Sequence, residues 1–172
     1  MRKRSLVSIL LLVAASGCGG NDPLNVFNKG DGPPAISLPL AGALTGFSQF
    51  LPSQKYFTFL TGTTSVTAPV DGFITAVDIE APTGVALYSV TILYNTRYSV
   101  RVGKMSGTVR RVGDFVSVGA PIGSTDSTTQ TLLELDEEGA PICPYSYFNI
   151  ESRTRIHTRM TSVGGNILPC AE

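Results

Sequence analysis

The stretch Val85–Asn95 reads Val-Ala-Leu-Tyr-Ser-Val-Thr-Ile-Leu-Tyr-Asn and alternates over most of its length. Ala86, Tyr88, Val90, Ile92 and Tyr94 form one set, and Val85, Leu87, Ser89, Thr91 and Leu93 the other. Successive side chains of a strand point to opposite faces, so this period predicts a strand with the first, more apolar set turned inward. Shorter runs rich in β-branched and aromatic residues recur at Val66–Pro69, Phe73–Ile79, Arg97–Val102, Gly107–Val112 and Ile142–Phe148. Gly, Pro and Asp punctuate them. Pro69 with Asp71-Gly72 predicts one tight turn, and Val112-Gly113-Asp114 another. No segment of twelve residues between these runs carries a helical period. The pattern predicts an all-β domain.

The first residues concern address. Arg2, Lys3 and Arg4 precede an apolar stretch, Leu6 to Ala15, that is too short to span a bilayer as a helix, and Ala15-Ser16-Gly17-Cys18 follows. A basic, then apolar, then small-residue order is that of a secretory signal. Small residues directly before a cysteine resemble a bacterial lipobox, which implies residues 1–17 as signal peptide and Cys18 as a lipid anchor. Without an acidic residue at 19 or 20, the expected destination is the outer membrane, with the protein facing the periplasm. Cleavage before Cys18 leaves 172 − 17 = 155 residues and a charge of 10 − 13 = −3, which disfavours nucleic acid as a partner. Residues 18–46, rich in Gly, Pro, Asn and Asp, read as a disordered tether. In an oxidising compartment Cys143 and Cys170 form a candidate disulfide.

Three words carry a resemblance. They are VTAPVDGFITAV (Val66–Val77), YSVRVGKMSGTVRRVGDFVSVGAPIGS (Tyr98–Ser124) and LLELDEEGAPICPYSYF (Leu132–Phe148). Together they resemble the LytM/lysostaphin-type zinc endopeptidases that cut peptidoglycan cross-bridges. The resemblance implies a barrel-sandwich hybrid of short antiparallel strands over residues 47–150. In that family the metal is held by a His and an Asp four residues apart, upstream of the APVDG-like word, and by the second His of an H-x-H. The first His of H-x-H and a His in a Y..R.GH.S-like word are the catalytic partners. Matched to this chain, those last three positions hold Gln130, Leu132 and Lys104, and neither His nor Asp occurs between Asp31 and Asp71. Leucine offers no lone pair and an ammonium repels zinc, so the expectation is a non-enzyme with no metal and no cofactor.

The same grammar of turns occurs in lipoyl and biotinyl carrier domains. There, however, the modified lysine follows the second turn, and Lys104-Met105 precedes it. Two recognition surfaces are expected. One is a degenerate cleft near Tyr98, Arg101, Lys104, Gln130 and Leu132. The other is a C-terminal strand within residues 151–172, where Arg153, Arg155, His157 and Arg159 recur at period two and present one basic face to an anionic partner. The candidate partners are the membrane through Cys18, and peptidoglycan or a cell-wall amidase. The expected function is a binding or regulatory module in cell-wall metabolism. An assembly component built on a lipoyl-like barrel and an unconventional zinc-dependent hydrolase stand as alternatives.

Overall fold

The computed structural model describes residues 29–47, 56–81, 84–126 and 130–162. Cys18, Cys170 and the leader lie outside them. The architecture is two antiparallel sheets. The larger contains β1 (Gly46–Phe47), β2 (Phe57–Leu60), β4 (Gly72–Glu80), β5 (Leu87–Leu93), β6 (Tyr98–Met105), β8 (Phe115–Val116), β10 (Thr131–Glu137) and β11 (Ala140–Ile142). Its order is β1-β2-β10-β6-β5-β4-β8, with β11 paired to β10. The smaller sheet is β3 (Thr64–Thr67), β9 (Pro121–Thr125) and β7 (Gly107–Thr108), in the order β3-β9-β7.

The expected alternation in β5 is what orients the larger sheet. Val90 and Ile92 are fully buried, as are Val100 and Val102 of β6 and Leu133 and Leu135 of β10. Opposite them, Val66 and Ile122 of the smaller sheet close the core. Phe59 packs edge-on against Phe148 at 6.4 Å, which ties the C-terminal region to the sandwich. At the predicted Val112-Gly113-Asp114 turn the chemistry matches. Gly113 has φ +93°, a left-handed conformation that a Cβ disfavours, and the Arg111 N–H donates to Asp114 Oδ2 at 3.0 Å.

Three expectations are corrected. Residues 150–162 form a helix, α1 (Ile150–Ser162), instead of a strand. Asn149 caps it: its Oδ1 accepts the Ser152 N–H at 2.8 Å, and Glu151 sits in the positive first turn. Ile142–Phe148 is not one strand either; β11 ends at Ile142 and a 3-10 turn occupies Tyr145–Tyr147. The third correction concerns the tether. Within residues 29–46, Ile36, Leu38 and Leu40 are buried in the core. The Ile36 N–H donates to Tyr147 O at 2.7 Å, Ser37 N–H to Pro69 O at 2.8 Å, and Thr67 N–H to Pro39 O at 2.8 Å. Alternating Ile-Ser-Leu-Pro-Leu is a buried extended segment despite the Pro and Gly around it, because one side of it finds apolar partners and its backbone finds polar ones.

Candidate functional site

The face of the larger sheet turned away from the core carries the positions at which the resemblance places its chemistry. Strand register fixes which residues share it. Leu132 stands opposite Thr58 of β2 on one side and Gly103 of β6 on the other. A Cβ on Gly103 would come within 2.6 Å of Ser89 Oγ and 3.3 Å of Leu132 Cδ2. Thr58, Leu132, Gly103 and Ser89 therefore form one cross-strand row. The row is packed closed: Leu132, Ser89 and Thr58 are 5, 6 and 7% exposed.

Two residues along each strand, on the same face, the character changes to charge. Arg101 stands opposite Glu134. Its guanidinium reaches Glu80 Oε1 at 3.1 Å and Glu134 Oε2 at 3.8 Å. The Arg and Glu134 are largely covered, while Glu80 is open to solvent, so water screens the shorter contact more than the longer one.

Lys104 ends the row. Between Val102 and Met105 the β6 strand carries an extra residue against β5, whose Tyr88 and Val90 pair with Met105 and Val102. Lys104 occupies that bulge with φ +58°, a backbone region few non-glycine residues adopt. Its Nζ lies 5.6 Å from the centre of the Tyr56 ring, within cation–π range. A bulge re-aims one side chain out of the strand alternation, and here it turns the ammonium onto an aromatic face.

Four of the five expected cleft residues thus belong together by register or sequence. Leu132, Lys104 and Arg101 lie at one end of this face, and Gln130 is exposed just before β10. Tyr98 does not belong there. It begins β6, six residues and about 20 Å from Lys104, and is buried on the core face. Its phenol donates to Glu137 Oε1 at 2.7 Å, and Arg97 pairs with the same carboxylate at 2.6 Å. The hydrogen bond to Glu137 foremost, with burial, holds the Tyr98 phenol above its usual value. Ser89, Thr58 and Tyr56 complete the site; the only signal that could have found them is strand pairing, which spacing along one strand does not reveal.

The basic C-terminal set is divided by the helix. Residues four apart share a helix face, so Arg155 and Arg159 fall on one side and Arg153 and His157 on another. Arg155 donates to Leu40 O at 3.2 Å and Gly42 O at 2.6 Å, and Arg159 to Thr45 O. Arg153 and His157 are exposed. The single four-residue basic face is corrected to two pairs, one of which fastens α1 to residues 40–45.

The residues do not fit zinc. Leucine at 132 is packed against Thr58 and Gly103, lysine at 104 is cationic and stacked on Tyr56, and among the described residues no three of His, Cys, Asp and Glu converge. Cys143 is disulfide-bonded; Cys170, its expected partner, lies outside the described residues.

No protein-family model matches the chain, and no curated protein matches it in sequence. Solved structures do match in shape. A candidate M23 peptidase of Pseudomonas aeruginosa aligns over 67% of this chain with a TM-score of 0.54 at 16% identity. Csd3 of Helicobacter pylori aligns over 76% with a TM-score of 0.55, also at 16% identity. The SpoIIQ–SpoIIIAH pore-forming complex supplies a third, over 72% of this chain with a TM-score of 0.52 at 13% identity. This chain spans only 52% of the first of those proteins and 39% of the second, but 96% of the third chain. The fold is therefore LytM-like, as the three sequence words imply.

Proposed function

We propose that the protein is a non-catalytic module of the cell envelope that works by binding, in cell-wall metabolism, and is held at the membrane through an acylated Cys18. The observation that carries this reading is the packed row Thr58–Leu132–Gly103–Ser89. Where the LytM-like fold would place its H-x-H and its catalytic histidine, this chain has Leu132 buried among neighbours and Lys104 on Tyr56. A hydrolytic metal needs an open coordination position and water beside it. A row packed closed around a leucine offers neither. Binding needs only a surface, and the scaffold supplies one in Arg101 with its two carboxylates. The favoured partners are peptidoglycan or a cell-wall amidase, and an outer-membrane anchor facing the periplasm sets the protein beside both.

A second reading is favoured by a specific observation. Nearly the whole of the matched chain in the pore-forming SpoIIQ–SpoIIIAH complex is accounted for by this fold. That likeness supports a role as an assembly component, in which the partner is another envelope protein and not the wall.

A pull-down with the full chain from detergent-solubilised envelopes, run beside sedimentation with purified peptidoglycan, separates the two. Enrichment of an amidase or co-sedimentation with the polymer is the expected result. A stoichiometric envelope protein with no wall binding selects assembly. Zinc-dependent solubilisation of peptidoglycan by the purified, metal-supplied protein would overturn both.

A further inference from the structure

Two neighbouring turns expose valines that the core does not use. Val109 and Val112, in the loop between β7 and β8, are 72% and 63% exposed, and Val118, in the turn before β9, is 48% exposed. Single exposed aliphatic side chains are ordinary on a protein surface, but several brought together on adjoining turns mark a contact site. The turns are joined: Arg110 Nε donates to Pro121 O at 2.8 Å, three residues beyond Val118. Phe115, just past the first turn, meets Phe73 edge-on at 5.3 Å, and both rings are only half-buried. Interleaved with this apolar surface is positive charge. Arg110 and Arg111 sit between Val109 and Val112, with Arg111 exposed.

The same end of the molecule is where the N-terminal segment enters. Val118 N–H donates to Asp71 Oδ1. On the other side of Asp71, Lys29 Nζ donates to its carbonyl oxygen at 2.9 Å, lies 3.9 Å from its carboxylate and sits 4.3 Å from the centre of the Tyr94 ring. Burial lowers the Lys29 amine below its usual value and the Asp71 charge opposes that shift. Asn95 adds a second fastening, donating through Nδ2 to Gly30 O at 2.8 Å and Gly32 O at 2.9 Å. Only eleven residue steps separate Lys29 from Cys18, about 40 Å even when fully drawn out. An anchor at Cys18 therefore keeps this end of the domain close to the bilayer. The Lys104–Leu132 end of the larger sheet is the far end, because Lys104 lies at the opposite terminus of β6 from Tyr98.

We propose that the turns bearing Val109, Val112 and Val118 rest on an anionic lipid bilayer, with the valines at the acyl boundary and Arg110 and Arg111 on headgroup phosphates. Apolar and basic side chains together are what an interfacial site requires, since burial of the first and attraction of the second act in concert. The contact converts a tethered domain into an oriented one, with the Lys104–Leu132 end of the larger sheet held away from the membrane. It is a separate claim from wall binding.

The chain has no tryptophan, so one introduced indole reports without background. Val112→Trp is compared with Val85→Trp, which replaces a valine of similar exposure, 61%, near the far end of β4 and β5. The full chain is reconstituted on vesicles of phosphatidylethanolamine and phosphatidylglycerol with brominated acyl chains, and flotation scores attachment. The expected result is a blue shift and loss of emission for Val112→Trp but not for Val85→Trp, weakened by Arg110→Glu with Arg111→Glu. Val109→Trp repeats the measurement should Val112→Trp fold poorly by circular dichroism. Equal quenching of the near and far probes, quenching of neither, a blue shift without bromine quenching (the mark of protein contact), or failure to float each overturns the proposal. Peptidoglycan sedimentation is read separately, so this outcome and that of the wall-binding reading are distinguishable.

Discussion

Gly103 has no special backbone angle to satisfy, yet it is the residue at which the packed row is most sensitive. The missing Cβ leaves the space that Ser89 and Leu132 fill from either side. In Gly103→Ala the added methyl would meet Ser89 Oγ at 2.6 Å and Leu132 Cδ2 at 3.3 Å. Neither neighbour is free to swing, since both are more than nine-tenths buried. Overpacking of this kind costs about 1–3 kcal/mol. Urea denaturation should show that loss, and Ser89→Ala in the same chain should restore part of it by removing the closer atom. A double substitution no more stable than Gly103→Ala alone would mean that the row is not packed as described. Residues 132 and 104 were legible as positions where an expected chemistry is missing. What they do instead was not, because Thr58 and Ser89 reach them only through pairing with strands distant in sequence.

Helix α1 shows how a local pattern can mislead. Arg153, Arg155, His157 and Arg159 at every second residue satisfy a strand's period, but the same four positions also satisfy the four-residue spacing of a helix as two pairs. The decisive signals were smaller: Asn149 followed by Glu151, and Ser152 and Ile156 as the buried stripe. Ser152 faces inward because its Oγ accepts the otherwise unpaired Leu38 N–H at 2.8 Å, a tertiary reason no local reading contains. By contrast β5 was legible, because its inward set had only one face on which to be buried. Asn149 holds the helix start from two directions, as cap of Ser152 N–H and as donor to Ser37 Oγ at 2.8 Å. Asn149→Ala should therefore lower stability by about 1–2 kcal/mol, measured by urea denaturation followed at the helical dichroism band. Asn149→Asp, which keeps the capping oxygen, should recover most of the loss. If alanine and aspartate behave alike, the cap is not what positions α1.

At the scale of the whole molecule, the boundary between tether and domain moves toward the N-terminus. Composition placed it at residue 46, since Gly, Pro, Asn and Asp dominate the preceding stretch. Three apolar side chains outweigh that composition. Ile36, Leu38 and Leu40 are each at most 4% exposed, and burying an aliphatic side chain of this size contributes about 1.5–3 kcal/mol. Together they supply about 5–9 kcal/mol before the cost of ordering the segment, a sum comparable to the roughly 5–15 kcal/mol that holds a domain folded. The segment also closes the molecule mechanically. It lies between Thr67 and Pro69 on one side and Tyr147 and Asn149 on the other, and its carbonyls at Leu40 and Gly42 receive Arg155. A chain beginning at residue 29 should keep the cooperative thermal transition of the longer protein. A chain beginning at Phe47 should lose it, showing weak near-ultraviolet dichroism and binding of a hydrophobic dye through the uncovered Phe59, Phe148 and Ile156 surface. Retention of a sharp transition by the shorter chain would place the domain boundary back at residue 46 and reduce the segment to a passenger.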